Sequence, residues 1–128
     1  MLDDATKQLA QGKTFAAVTT LLPDGTPMTQ PLWVDANDDN LLLNTETGRQ
    51  KYRNITRDPR ITVTMWDAAD PYRYVEVRGV VSDTVTGQEA RAHIDELSRK
   101  YTGSDYTNPI QTERVIFKVA PQRRSGRA

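Results

Sequence analysis

Residues Asn44 to Arg60 read NTETGRQKYRNITRDPR, and the chain is organised around them. The stretch leaves an apolar run, Leu41-Leu42-Leu43, and passes through Thr45, Thr47 and Gly48. It then turns basic: Arg49, Lys51, Arg53, Arg57 and Arg60 face one acid, Asp58. Thr47 has the hydroxyl of an N-cap, so a helix is expected to begin there, with Arg49 and Lys51 in its first turn. A helix start presents free amide N–H groups and the positive end of the dipole. Amides and cations together suit a phosphate. The alternative is an ordinary amphipathic connector whose cations are simply solvated. Pro59 ends the helix near Asp58.

Upstream, Asp3 to Gln11 reads as a short helix closed by Gly12, and Thr14 to Leu22 as a strand. Pro23-Asp24-Gly25-Thr26 is a tight turn. Thr26 to Asp35 returns as a second strand, and Pro31 within it demands an edge or a bulge. Asn37 to Asn40 makes a turn, and Leu41 to Asn44 a third strand. Downstream, Arg60 to Trp66 alternates as a strand, Asp67 to Pro71 is a loop, and Tyr72 to Val85 is a long strand. Gly79 marks a bulge or barrel bend in it. Thr86 to Tyr101 reads as a helix with a Thr86/Glu89 capping box, an apolar stripe at Ala90, His93 (or Ile94) and Leu97, and a stop at Gly103. Thr112 to Ala120 is a last strand with Val115, Phe117 and Val119 on one side; the tail adds a short pairing or frays. Six or more hairpin-linked strands with few helices imply a mainly β (α+β) domain whose antiparallel sheet closes into a barrel. An open α+β sheet is the alternative.

A chain of 128 residues is expected to form one domain, spanning 1–128. Its 17 basic and 17 acidic residues balance, so no global field draws it to nucleic acid or to a membrane surface. No apolar run approaches the roughly 20 residues of a membrane span. The polar, acidic N-terminus is no secretory signal, and the chain has no cysteine, so a cytoplasmic protein is expected.

The same inventory excludes most chemistry of the chain's own. His93 is the only histidine, which leaves no metal site, and it reads as a helix-surface or boundary residue. None of the four serines sits in a nucleophile elbow, and no dinucleotide or P-loop glycine pattern occurs. No catalytic side chain is assigned. Trp33, Trp66, Tyr72 and Tyr74 lie at strand ends, where planar rings can stack on a flat ligand or simply pack. A protein with one anion site beside aromatic strands leaves its reactivity to a bound cofactor.

At this point the chain resembles the split β-barrel flavin and deazaflavin oxidoreductases, the pyridoxamine-phosphate-oxidase-like class, over about residues 5 to 120. The pattern runs FAAVTTLLPDGTPMTQPLWV, LLLNTETGRQKYRNITRDPRITVTMWD, YVEVRGVV. Arg49-x-Lys51-x-x-Asn54 leading into Arg57-Asp58-Pro59-Arg60 resembles the branch that uses coenzyme F420, the deazaflavin found in actinobacteria. The resemblance implies a six-stranded antiparallel split β-barrel with short flanking helices, forming a homodimer with the cofactor in a groove between subunits. The ring is then expected at Gln30, Pro31, Leu32 and Trp33 and at Asn44 and Thr45. The phosphate is expected at Thr47, Arg49 and Lys51, with Tyr72 and Tyr74 approaching from the partner. Hydride transfer to an unsaturated small-molecule acceptor is the implied reaction. An FMN-dependent relative, or a non-catalytic flavin or tetrapyrrole carrier, are the competing readings. Five cations between Arg49 and Arg60 suit a polyanionic coenzyme tail.

Overall fold

Two long strands carry the architecture in the computed structural model, which describes all 128 residues. The elements are α1 (Asp4–Gln11), β1 (Phe15–Leu21), β2 (Pro27–Trp33), β3 (Asp35–Ala36), β4 (Leu41–Glu46), α2 (Gln50–Arg57), β5 (Arg60–Asp67), β6 (Asp70–Val85), α3 (Gln88–Thr102) and β7 (Arg114–Gly126). All seven strands form one antiparallel sheet in the order β2-β1-β5-β6-β7-β4-β3, curled into a half-barrel. The long strands β6 and β7 pair along most of their length, with register shifts at Arg78/Gly79 and Val81/Asp83. Such bulges bend a strand and raise its twist, which turns the sheet from its β1–β5 wall to its β4 wall. The bend expected at Gly79 is there. So is the edge expected at Pro31, because β2 is the outermost strand on its side.

The single strand expected over Thr26 to Asp35 is in fact two. β2 pairs with β1, Val34 leaves the ladder, and β3 pairs with β4 on the opposite edge of the sheet. Val34 is held at the crossing by α3: its amide donates to the Tyr101 hydroxyl at 3.1 Å, and Lys100 donates to its carbonyl. The two edges of the half-barrel are thus joined by one residue. The extra two-residue β3 makes seven strands where six were expected. The loop expected over Asp67 to Pro71 shrinks to a tight turn, because Asp70 already pairs with Asp67. The tail does not fray: β7 runs on to Gly126 against Val75.

Strand alternation divides the side chains. Val18, Val63, Met65, Val75, Val77, Leu41, Leu43, Val115, Phe117 and Val119 point inward and are buried in one core, capped by Leu9 of α1 and Ile55 of α2. On β4 and β7 the alternate positions Asn44, Glu46, Arg114 and Ile116 are buried as well. They face outward, so that face too is covered, by α3 with its buried Ala90, His93, Ile94 and Leu97. The Thr86 capping box is not formed: α3 starts at Gln88 behind Gly87, whose φ of +76° takes the chain into the helix without a side-chain cap. Gly103 closes it in the left-handed region as expected.

Gly79 has a tighter reason for being glycine than its bulge alone. A Cβ there would lie 2.1 Å from the Ala120 carbonyl oxygen. Gly79→Ala is therefore expected to destabilise the fold by roughly 1–3 kcal/mol, as overpacking does. Urea unfolding measures this, and an unchanged midpoint would mean that the bend is not set by this close approach.

Candidate functional site

Glu46, the last residue of β4, is 1% exposed and faces Arg114 directly across the β4–β7 ladder. Its Oε1 accepts from the amides of Gln111 and Thr112 at 3.1 and 2.8 Å and from the Thr112 hydroxyl at 3.0 Å. Its Oε2 accepts from Arg114 Nη1 at 3.3 Å, with Arg49 at 3.7 Å. Burial pushes the Glu46 carboxyl up, but the bonds from Thr112 and Gln111 and the charge of Arg114 outweigh it and leave it lowered. The carboxylate thereby ties the segment before β7 to the end of β4.

The helix start differs from the expectation. Thr47 is not the N-cap. Its amide donates to Glu113, that of Gly48 to the Thr112 hydroxyl, and that of Arg49 to Glu46. Three consecutive N–H groups are consumed by this turn, so α2 begins at Gln50 with Arg49 in the cap position and no side-chain cap. The amides of Gln50 and Lys51 are the ones left without an acceptor in the chain. Beside them Lys51 is 8% exposed, and its ammonium has neither an ion pair nor a hydrogen bond. Burial lowers its pKa, and the charges of Arg49 and Arg114 push the same way. Two free amides and a partly desolvated, unpaired ammonium next to two guanidinium groups fit an anionic group.

The other cations of the stretch are committed elsewhere. Arg53 donates to Gly48 and Gln50, Arg57 to the Leu21 carbonyl, and Arg60 pairs with Asp58, whose pKa its hydrogen bonds pull down to about 2. The case for a polyanionic tail from five cations thus reduces to Arg49 and Lys51 on α2, with Arg114 as an unexpected third.

A cavity of about 300 Å³ opens next to this corner, lined by Phe15, Pro31, Leu32, Trp33, Asn44, Ile94, Tyr106, Asn108 and Arg114. Pro31, Leu32, Trp33 and Asn44 therefore come together although β2 and β4 are not neighbours in the sheet; the Val34 crossing brings them to one place. Trp33 stacks on Tyr101 at 5.2 Å and meets the edge of Tyr106 at 6.3 Å, which fixes its ring as a wall. Gln30 is exposed on β2 outside the cavity, and Thr45 points to the opposite face of β4 from Asn44. Tyr72 and Tyr74 lie on the β5–β6 hairpin, 75% and 36% exposed, and do not line the cavity of their own chain.

Asn44 links the cavity to the interior. Its Oδ1 accepts from Arg114 Nε at 2.8 Å, and its Nδ2 donates to the Ala90 carbonyl and to His93 Nδ1, each at 3.0 Å. His93 is thus no surface residue: it is 6% exposed, accepts at Nδ1, and turns Nε2 towards Asp35 at 3.5 Å. The residues that the sequence reading missed are Arg114, Tyr106, Phe15, Asn108 and Ile94. The one available signal was the cross-strand partner of Glu46.

A curled antiparallel half-barrel with a cation-lined helix start beside an aromatic cavity defines the split β-barrel class of flavin and deazaflavin oxidoreductases. The chain belongs to the pyridoxamine 5'-phosphate oxidase family, whose model matches residues 2–127. An F420 reductase of known structure is 32% identical over 97% of this chain and 98% of its own, with a TM-score of 0.84. A conserved hypothetical protein from Mycobacterium tuberculosis is 24% identical over 97% of this chain and 83% of its own, with a TM-score of 0.76. General Stress Protein 26 from Bacillus anthracis shares the fold at 19% identity, over 94% of this chain and 89% of its own, with a TM-score of 0.69. No curated protein matches the chain at a significant level. No helix is long and apolar enough to cross a membrane.

Glu46→Gln keeps the shape and removes the charge that Arg114 faces. It is expected to lower stability at neutral pH by about 3 kcal/mol, as the breaking of a buried pair does. The folded carboxyl is held below its ordinary value of 4.5, so its contribution is present above that pH and is lost as pH falls through the lowered folded value. Urea unfolding of both proteins should show the gap closing towards acid; a gap that widens there would contradict the assignment.

Proposed function

We propose that this protein is an oxidoreductase that uses reduced coenzyme F420 to pass hydride to an unsaturated small-molecule acceptor. The observation that carries the reading is Lys51, largely buried with an ammonium unpaired in the chain, at the helix start where the Gln50 and Lys51 amides are free and Arg49 is near, next to an aromatic cavity. The whole-length likeness to an F420 reductase supports the coenzyme, since that protein is 32% identical. When bound, the reduced deazaflavin supplies the hydride from a ring carbon.

The chain supplies position and electrostatics. Arg49, Lys51 and the two amides hold the phosphate, with the Thr47 hydroxyl beside them. Pro31, Leu32 and Trp33 form one wall for the ring, Asn44 and Arg114 form the polar end opposite, and Gln30 and Thr45 flank these on their strands. Apolar walls exclude water from the face where the acceptor lies. No side chain takes a covalent or proton-transfer role. His93 stands behind Asn44, away from the cavity.

Assembly into a homodimer belongs to this reading. Phe15, on the cavity rim, is 52% exposed, and Tyr72 and Tyr74 are exposed on the hairpin. A second copy would cover these rings and complete the groove. Light scattering should find a dimer; a monomer with full coenzyme affinity would contradict a shared groove. The cytoplasm is the expected compartment for a chain without cysteine.

Titration of the purified protein with coenzyme F420 and with FMN tests the assignment. Coenzyme F420 should bind, and its reduced form should be turned over with an enone or imine acceptor. Tight FMN binding without coenzyme F420 binding favours the flavin-dependent alternative, and binding without any turnover favours a carrier. Lys51→Ala and Arg49→Ala should each weaken coenzyme binding by roughly 1.5–3 kcal/mol, the value of a charge-assisted bond. Unchanged affinity in the double variant would remove the phosphate assignment.

A further inference from the structure

We propose that Arg114 makes the cavity selective for an anionic oxygen, so that the ligand filling it is a carboxylate or a ring that carries its charge on a carbonyl oxygen. The inference rests on the cavity being the ligand site, as argued above, and it adds the chemical class of what the cavity takes.

Arg114 is buried in a largely apolar lining, yet its guanidinium is only partly used. Nε donates to Asn44 and Nη1 to Glu46, while Nη2 has no partner in the chain. The group cannot swing away. Two hydrogen bonds hold its plane, and Tyr106 lies under it with Cζ 5.3 Å from the ring centroid. Asn44 is itself fixed from behind by Ala90 and His93, so the acceptor for Nε cannot rotate. The remaining donor is thus preorganised at the cavity, where a low dielectric strengthens a bond to negative oxygen.

The charges leave room for such an oxygen. Arg49 and Arg114 share one carboxylate, Glu46, and Lys51 near them has none. One anion at Arg49 and Lys51 therefore still leaves the Arg114 end positive. A neutral apolar ligand would leave Nη2 desolvated and unpaired, which is unfavourable. Trp33 and Tyr106 meet edge to face as one aromatic wall, and Arg114 beside them requires a negative oxygen on the ligand.

The test is calorimetric titration of the full-length protein with 2-naphthoate and with its neutral isostere 2-naphthamide. The wild type should prefer the carboxylate by roughly tenfold or more, the worth of a charge-assisted bond in a desolvated site. Arg114→Lys keeps a cation for Glu46 but lacks the Nη2 donor. It should lose most of the preference while still binding the amide, and its unfolding midpoint reports that it is folded. Lys51→Ala should keep the preference. Equal binding of the two probes by wild type overturns the proposal, and so does a preference that survives Arg114→Lys but vanishes in Lys51→Ala. Repeating the titration with saturating coenzyme F420 separates the sources of the oxygen. Naphthoate that still binds places it on the acceptor, and naphthoate that is displaced places it on the coenzyme ring; both support the role of Arg114. If coenzyme F420 does not bind at all while the preference persists, the proposed function fails and this inference stands.

Discussion

The structure depends on one buried charge, the carboxylate of Glu46. Strand alternation forces it outward from the main core, onto the face shared with Asn44, Arg114 and Ile116. A carboxylate there is tolerable only with its lone pairs filled. The fold fills them with two amides and a hydroxyl from the segment before β7 and with the Arg114 guanidinium. Once that segment is tied down, it takes the Thr47 and Gly48 amides as well. The start of α2 is thereby displaced to Gln50, and the free amides come to lie beside Lys51.

The same constraint produces the positive surplus. Glu46 neutralises one unit among Arg49, Lys51 and Arg114, and none of these cations finds another carboxylate nearby. Lys51 carries the consequence most plainly, since burial and its neighbours lower its pKa. A ligand anion would relieve both effects at once, and the groups that would meet it are already assembled. The cavity has a comparable origin. Val34 must cross from one sheet edge to the other, and Tyr101 and Lys100 fix the crossing, which leaves Trp33 facing Asn44 and Arg114. Preorganised polar groups at the end of an apolar slot are the usual way in which a protein without its own nucleophile directs a cofactor.

Local chemistry made much of this legible from the residues alone. The Pro23–Thr26 turn, the edge at Pro31, the bend at Gly79 and the helix stop at Gly103 each follow from one residue's backbone preference, and each is present. Pro31, Leu32, Trp33 and Asn44 were read together through the family resemblance, and they share a cavity. The failures have the opposite character. Thr47 lost its capping role to Thr112 and Glu113, and Val34 left its strand because of a hydroxyl 67 residues away. Arg114 is not legible in the sequence because it alternates with the inward set Val115, Phe117 and Val119, and only the folded sheet shows that α3 covers the outward set. For His93 the apolar-stripe reading holds and the helix-surface reading does not, since its partner Asn44 lies on that outward face. Local propensity cannot see partners supplied by distant segments.

The most direct test of this account is a crystal structure of the protein with coenzyme F420. It predicts the phosphate within hydrogen-bond distance of the Lys51 ammonium and the Gln50 and Lys51 amides, with the ring between Trp33 and Arg114. A phosphate bound away from the start of α2, with Lys51 still unpartnered, would contradict it.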